Sequence, residues 1–350
     1  MKKIQSGFSV IELMVGIVIS LLVSIAVAGS AQFLNTQKRI TVGTNSVLET
    51  LAISYREVSN DVKMVGYGVS SCPSTTVNVG GKTIHVGPTS ISADTEVPLQ
   101  LSIVDGGDSS SDTITSFYGD SNTGIAYSFL KDDSTTSSFT TRYAGQVNAG
   151  GLVLLSDITK CDVYAVSGTP TFDATTNATT VELNTTFNGK AWTSSANTYA
   201  ANSMVIGLSE LKLVTHSIVN NTLQEYNAIS DTTTKIAANT VFLKAFYGLT
   251  DGTFVRATGS WTNSGLVATG SNINRIRSVR VFLVVREPVL NVKNTTGDCD
   301  TTLAAPTLFD DTVTVDLSAT TDWKCYRYKT VDFIIPLLNK VFNDATAAGT

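Results

Sequence analysis

The 350-residue chain carries a formal net charge of −5 and is only 15% charged, so it offers no overall electrostatic attraction for nucleic acid. Its length allows one large or two small cores, and its many Thr, Ser, Asn and Gly residues suit a turn-rich β protein outside the cytoplasm. With two histidines (His85, His216) and no Cys-x-x-Cys pair, the chain lacks the ligand spacing of a structural zinc site.

The N-terminus reads Lys2, Lys3, Gly7, Phe8, Glu12 and then an uncharged apolar run from Leu13 to Ala31. That run is long enough to cross a hydrocarbon core of about 30 Å as a helix. It is too long for the apolar region of an ordinary secretory signal, and the Gly7-Phe8 junction lies before the run instead of after it. The expectation is therefore a cut between Gly7 and Phe8 that leaves the apolar helix on the mature chain. Lys2 and Lys3 favour the cytoplasmic side, which places the remainder outside. Glu12 is the anomaly, because an isolated carboxylate is costly in lipid.

The helix is predicted to continue past Phe33. Leu48, Leu51, Tyr55, Val58 and Val62 recur at spacings of three and four, with Glu49, Arg56, Glu57, Asp61 and Lys63 off the stripe. Gly66 and Gly68 are stop signals. A helix from Phe8 to about Val65 would be roughly 87 Å long at about 1.5 Å per residue. Gly29 and Gly43 are its weak points, each costing about 1 kcal/mol against alanine.

From Cys72 onward the helical period is lost. Short alternating runs sit between Gly, Asn, Asp and Ser clusters, among them 112–119, 151–157, 203–219, 223–230, 240–248 and 278–285, and they read as strands. The dense Ser, Thr and Asn of 105–141 and 166–200 predict exposed loops or an elaborated hairpin. The fold class is α+β: a long N-terminal helix, transmembrane in its first half, packed on a large antiparallel β-sheet head. The expected divisions are a leader at 1–7, a helix at 8–66 with its membrane and assembly part at 8–33, and a β-rich periplasmic head at 67–350. Four cysteines in an oxidising compartment suggest two disulfides. Three pairings are possible, of which Cys72–Cys161 and Cys299–Cys325 are favoured, the second because it closes a local loop.

The segment 2–19 (KKIQSGFSVIELMVGIVI) resembles the class III signal of type IV pilins and pseudopilins. The resemblance covers about the first thirty residues. It implies cleavage after Gly7 by a prepilin peptidase, methylation of the new amine of Phe8, and a role for Glu12 in filament assembly. A cationic amino terminus on a neighbouring subunit's Phe8 would partner the buried Glu12 carboxylate and set the register between subunits. Residues 64–72 (MVGYGVSSC) resemble the helix end of PilW-type minor pilins. More loosely, so do 109–119, 241–252, 273–287 and 325–339, although Asp332 and Pro336 interrupt the last strand; Pro336 belongs at an edge or strand end. The resemblance implies an inner-membrane protein with a periplasmic head that joins other minor pilins and the major pilin in a tip complex priming pilus assembly. A J-type minor pseudopilin of type II secretion and a pilus-tip adhesin with an unknown surface ligand are the rival readings.

No enzyme is expected, and no cofactor or metal. There is no Gly-x-Ser-x-Gly, His-Glu-x-x-His or phosphate-binding loop. Asp105, Asp108 and Asp112 could supply oxygen ligands to Ca²⁺, but they match no EF-hand and read better as a polar turn; Asp298, Asp300, Asp310 and Asp311 read the same way. Arg275 and Arg277 are expected on one face of a strand and Arg280 and Arg286 on the other, shielding an edge or pairing with acidic neighbours. Trp192, Trp261 and Trp323 are expected in core or rim packing. His85 and His216, each in a strand-like run, read as structural or surface histidines.

Overall fold

The computed structural model describes residues 9–69, 76–79, 82–85, 101–107, 110–120, 127–142, 147–157, 159–187, 189–192, 196–256, 275–288, 297, 299, 301–308, 313–318, 320 and 322–339. The architecture is α+β, with one long N-terminal helix against antiparallel sheets.

Helix α1 runs Val10–Met64, 55 residues or about 82 Å. Ser9 is its N-cap, in extended conformation, and its hydroxyl accepts the Ile11 N–H at 3.4 Å. The helix ends where the sequence signals it: Gly66 takes φ 78, a left-handed conformation that costs a glycine little. A feature with no sequence signal completes the end. The Asn339 side-chain amide, from the far end of the head, donates toward the carbonyls of Lys63, Met64 and Val65 at 3.4, 3.3 and 3.0 Å, groups that have no partner within the helix.

The buried stripe is shifted from the predicted one. Val47, Leu51, Ser54, Val58 and Val62 face the head, whereas Leu48 (55% exposed) and Tyr55 (43%) flank the seam. Tyr55 packs edge-on against Phe333 at 4.8 Å between ring centroids. Ser54 is tolerated in the seam because its hydroxyl returns to the Thr50 carbonyl at 2.8 Å.

Among the described residues, three larger sheets make the head. The first comprises β3 (Leu101–Val104), β4 (Thr113–Asp120), β13 (Glu210–Val219), β14 (Thr222–Asn227) and β15 (Thr232–Ala238), ordered β15-β14-β13-β4-β3. The second is β17-β16-β18-β21, from β16 (Thr240–Leu249), β17 (Phe254–Arg256), β18 (Ile276–Arg286) and β21 (Tyr328–Pro336). Both bury apolar residues against the helix: Ile103, Ile114, Leu243, Tyr247, Val281, Leu283 and Ile335 join Val47, Leu51, Val58 and Val62 in one core. Strand β21 is an edge strand among the described residues and Pro336 is its last residue, where a missing N–H is harmless.

The third sheet contains β1 (Thr76–Val79), β2 (Lys82–His85), β5 (Tyr127–Phe129), β6 (Ser138–Thr141), β7 (Leu152–Ser156), β8 (Cys161–Asp173), β9 (Ala178–Asn184) and β12 (Met204–Leu208). One pair in it, β1 with β8, is parallel, an exception to the antiparallel expectation. Most of it is inserted between β4 and β13, and it packs on the first sheet through Phe117, Leu211 and Leu213. Within 105–141 and 166–200, expected as exposed loops or an elaborated hairpin, β8 with β9 forms a long hairpin. The run 203–219 is not one strand. It breaks at Ser209, where the chain leaves the third sheet for the first. Two short hairpins, β10 (Thr186–Phe187) with β11 (Lys190–Ala191) and β19 (Thr307–Leu308) with β20 (Val313–Thr314), complete the strands.

The face of the second sheet turned away from the helix carries Phe242, Phe246, Phe282 and Val284. It is covered by Leu308, Val313, Val315 and Leu317. The covering segment is closed by the bond between Cys299 and Cys325, with Cα atoms 4.8 Å apart.

Candidate functional site

The exposed half of the helix is the first candidate. Every described side chain from Ser9 to Arg39 is exposed, and the segment is apolar enough to cross a membrane. Three of its serines are suited to hydrocarbon. The hydroxyls of Ser20, Ser24 and Ser30 return to the carbonyls of Ile17, Ser20 and Ala26 at 2.9, 2.8 and 2.9 Å, so none of them needs water. Glu12 lies in the first turn, three residues after the Ser9 cap. A carboxylate there is favoured by the positive end of the helix dipole, a local reason for its place that the sequence reading overlooked. Gly7 and Phe8 lie outside the described residues. A Cβ at Gly29 would meet nothing within 4 Å, whereas one at Gly43 would lie 3.0 Å from the Glu287 carboxyl carbon. The two weak points differ: contact with the head accounts for Gly43, and nothing among the described residues accounts for Gly29.

The second candidate is the polar joint that fixes the helix to the head. Asp61 accepts the Tyr118 hydroxyl at 2.6 Å and the His216 Nε2–H at 2.7 Å. His216 is fully buried, Asp61 is 14% exposed, and His216 Nδ1 has no partner among the described residues. Burial, reinforced by the Asp61 carboxylate, pushes the Tyr118 phenol far up. Burial also raises the Glu225 carboxyl, with Asp61 adding to the effect and His216 and Lys212 opposing it. Glu225 stands opposite His216 in the β13–β14 register. A carboxylate–histidine pair is the geometry of a general base, but a ring with no exposed surface cannot reach a substrate. Here it is a structural contact.

Of the carboxylates considered for Ca²⁺, the two that are described lie in one ion-pair cluster. Asp105 and Asp112 both bond the Lys244 ammonium, and Asp105 also accepts Arg256 Nη2 at 3.1 Å. Asp108, Asp298, Asp300, Asp310 and Asp311 lie outside the described residues. No group of three or more His, Cys, Asp or Glu able to hold a metal occurs among the described residues.

Two of the four arginines, Arg275 and Arg280, pair with acidic neighbours. Arg280 Nε donates to both Asp332 oxygens at 2.9 and 3.1 Å, and its guanidinium lies over Phe254 and Phe282. Arg275 pairs with Asp251, Arg277 Nη1 donates to the Ile276 carbonyl, and Arg286 lies over Tyr326. The Asp332 that interrupts the strand pattern is therefore the partner of Arg280. Trp192 is buried, its Nε1–H on the Val163 carbonyl at 3.3 Å. Trp323 borders an open pocket of about 410 Å³ with Ala305, Thr314, Val315, Asp316, Leu317 and Ser318. Trp261 lies outside the described residues, as does the side chain of His85. Cys161 is disulfide-bonded, and Cys72, its favoured partner, lies outside the described residues.

Residues 2–28 match the prokaryotic N-terminal methylation motif. No curated protein matches the chain. Among solved structures, a type IV-like pilin from Thermus thermophilus is similar at 9% identity and a TM-score of 0.33, with 84% of this chain and 96% of that one covered.

Proposed function

We propose that the chain is a minor pilin of a type IV pilus, similar to the PilW type, and that it works by assembly. The observation that carries this reading is the pairing of a methylation motif at residues 2–28 with an apolar helix half whose described side chains are all exposed. In this reading prepilin peptidase cuts after Gly7 and the Phe8 amine is methylated. The subunit waits in the inner membrane with its head in the periplasm. It then joins other minor pilins in a priming complex at the tip, beneath which the major pilin polymerises. Glu12 sets the register by meeting the Phe8 amine of a neighbouring subunit. Cys72 and Cys161 form the second disulfide, tying the segment after the helix to β8.

The test is a deletion strain complemented with wild type, Gly7→Val and Glu12→Ala, scored for surface pili and for protein secretion in parallel. Loss of pili with secretion intact supports the reading. Loss of secretion with pili intact assigns the chain to a secretion pseudopilus. A normal phenotype with Gly7→Val overturns both.

A further inference from the structure

Lys244 is a lysine with almost no exposed side chain (1%), in the interior strand β16. Two carboxylates meet its ammonium: Asp112, equally buried, and Asp105, 6% exposed and 2.7 Å away. Asp112 precedes β4, so the contact joins the two sheets that clasp the helix. The Asp112 carboxyl is held at both oxygens, Oδ2 by the Ala245 N–H at 2.8 Å and Oδ1 by the Gly106 N–H at 2.9 Å. Asp105 Oδ1 accepts the Gly107 N–H at 2.9 Å as well as Lys244 and Arg256. The Phe242 ring closes one side, 5.9 Å from Nζ.

We propose that Lys244 and Asp112 condense into an intramolecular isopeptide bond, with Asp105 moving the protons. The Asp105 carboxylate takes a proton from the Lys244 ammonium and passes it to Asp112 Oδ1. The neutral amine attacks Cγ of Asp112, forming the N–C bond and pushing an electron pair onto Oδ2, which the Ala245 N–H stabilises. Asp105 removes a proton from the nitrogen and delivers it to Oδ1. The Cγ–Oδ1 bond breaks and Oδ1 leaves as water. One ammonium and one carboxylate become one amide and one water, with no oxidant, reductant or cofactor.

Three features favour this over a permanent ion pair. Burial pushes the Asp112 carboxyl up, toward the neutral acid that an amine can acylate. Burial acts in the same sense on Asp105, but the hydrogen bonds from Lys244, Arg256 and Gly107 outweigh it and hold that carboxyl well below its usual range, so it stands ionised beside the ammonium, as the first proton transfer needs. Condensation also removes two buried charges, whose desolvation is unfavourable, and the charges that remain, Asp105 and Arg256, balance each other. The inference does not depend on the proposed function. Its consequence is a covalent tie between the sheets of a head that stays joined under pulling.

The test is intact mass spectrometry of the full-length protein purified from membranes and reduced with a thiol, alongside Lys244→Arg processed in the same cells. The expected result is a wild-type mass lower by one water than its sequence and processing require, no such deficit in Lys244→Arg, and a branched proteolytic fragment linking Asp112 to Lys244. A wild-type mass without the deficit, with both peptides recovered in linear form, overturns the proposal whether or not the variant folds. Asp105→Asn keeps both reacting groups and is expected to retain the water; full condensation in that variant overturns the role given to Asp105.

Discussion

The two halves of α1 share one continuous backbone and meet different surroundings. From Val47 to Val62 a side chain is buried at every turn, and the polar positions are answered: Asp61 by Tyr118 and His216, the terminal carbonyls by Asn339. From Ser9 to Arg39 no described side chain is buried, and the hydroxyls turn back on the helix itself. The difference teaches that the head fixes the lower half and buries no described side chain of the upper half. An apolar surface of that extent does not stay in water; lipid or other subunits must cover it. Substitutions in the two halves should therefore fail in different assays.

The largest separation is expected from charge placed in the seam. Val58→Asp leaves a buried, unpaired carboxylate and should cost about 3–5 kcal/mol, read as a lowered unfolding midpoint of the head in detergent. Leu21→Asn, in the exposed half, should leave that midpoint within about 0.5 kcal/mol while reducing recovery in the membrane; equal thermal effects would erase the distinction. A smaller loss is expected from Asp61→Ala, which leaves the Tyr118 hydroxyl and the His216 ring without an acceptor. Denaturant titration should show about 1–3 kcal/mol. The glycines sharpen the contrast further. Gly29→Ala should raise helix stability by about 1 kcal/mol without touching the head. Gly43→Ala must displace the Glu287 carboxylate and should gain less or lose, which paired thermal melts would resolve.

The smallest expected effect is on pH dependence. Because the Glu225 carboxyl is raised in the folded state, it contributes stability that is fully present below its unfolded pKa and lost as pH rises through the folded value. Glu225→Gln should therefore stabilise the joint at neutral pH, and the gain should vanish below about pH 4. A gain that persists undiminished in acid would contradict this account of the joint.

Much of this was legible in the sequence where the signal is local. Gly66 ended the helix because it takes the left-handed conformation itself, and Pro336 closed an edge strand because it lacks a donor. The seam was displaced because size and hydrophobicity pointed to Leu48 and Tyr55, while the backbone angle selects Val47 and Ser54, and Ser54 is acceptable only through its bond to Thr50. The run through Ser209 looked like one strand because alternation carries no mark of which sheet a strand joins. Asp105 and Asp112 read as part of a polar turn because their partner, Lys244, is more than 130 positions away in sequence. His216 could not be placed without knowing that β13 lies beside the end of the helix.

The most direct measurement is the amount of Glu12→Ala protein in pili sheared from the cell surface, compared with wild type at equal membrane level and equal head stability. If the exposed half exists to pack against neighbouring subunits with Glu12 setting the register, the variant will be cleaved, folded and retained in the membrane, yet depleted from the filaments. Glu12→Ala protein present in sheared pili at the wild-type amount would contradict the account.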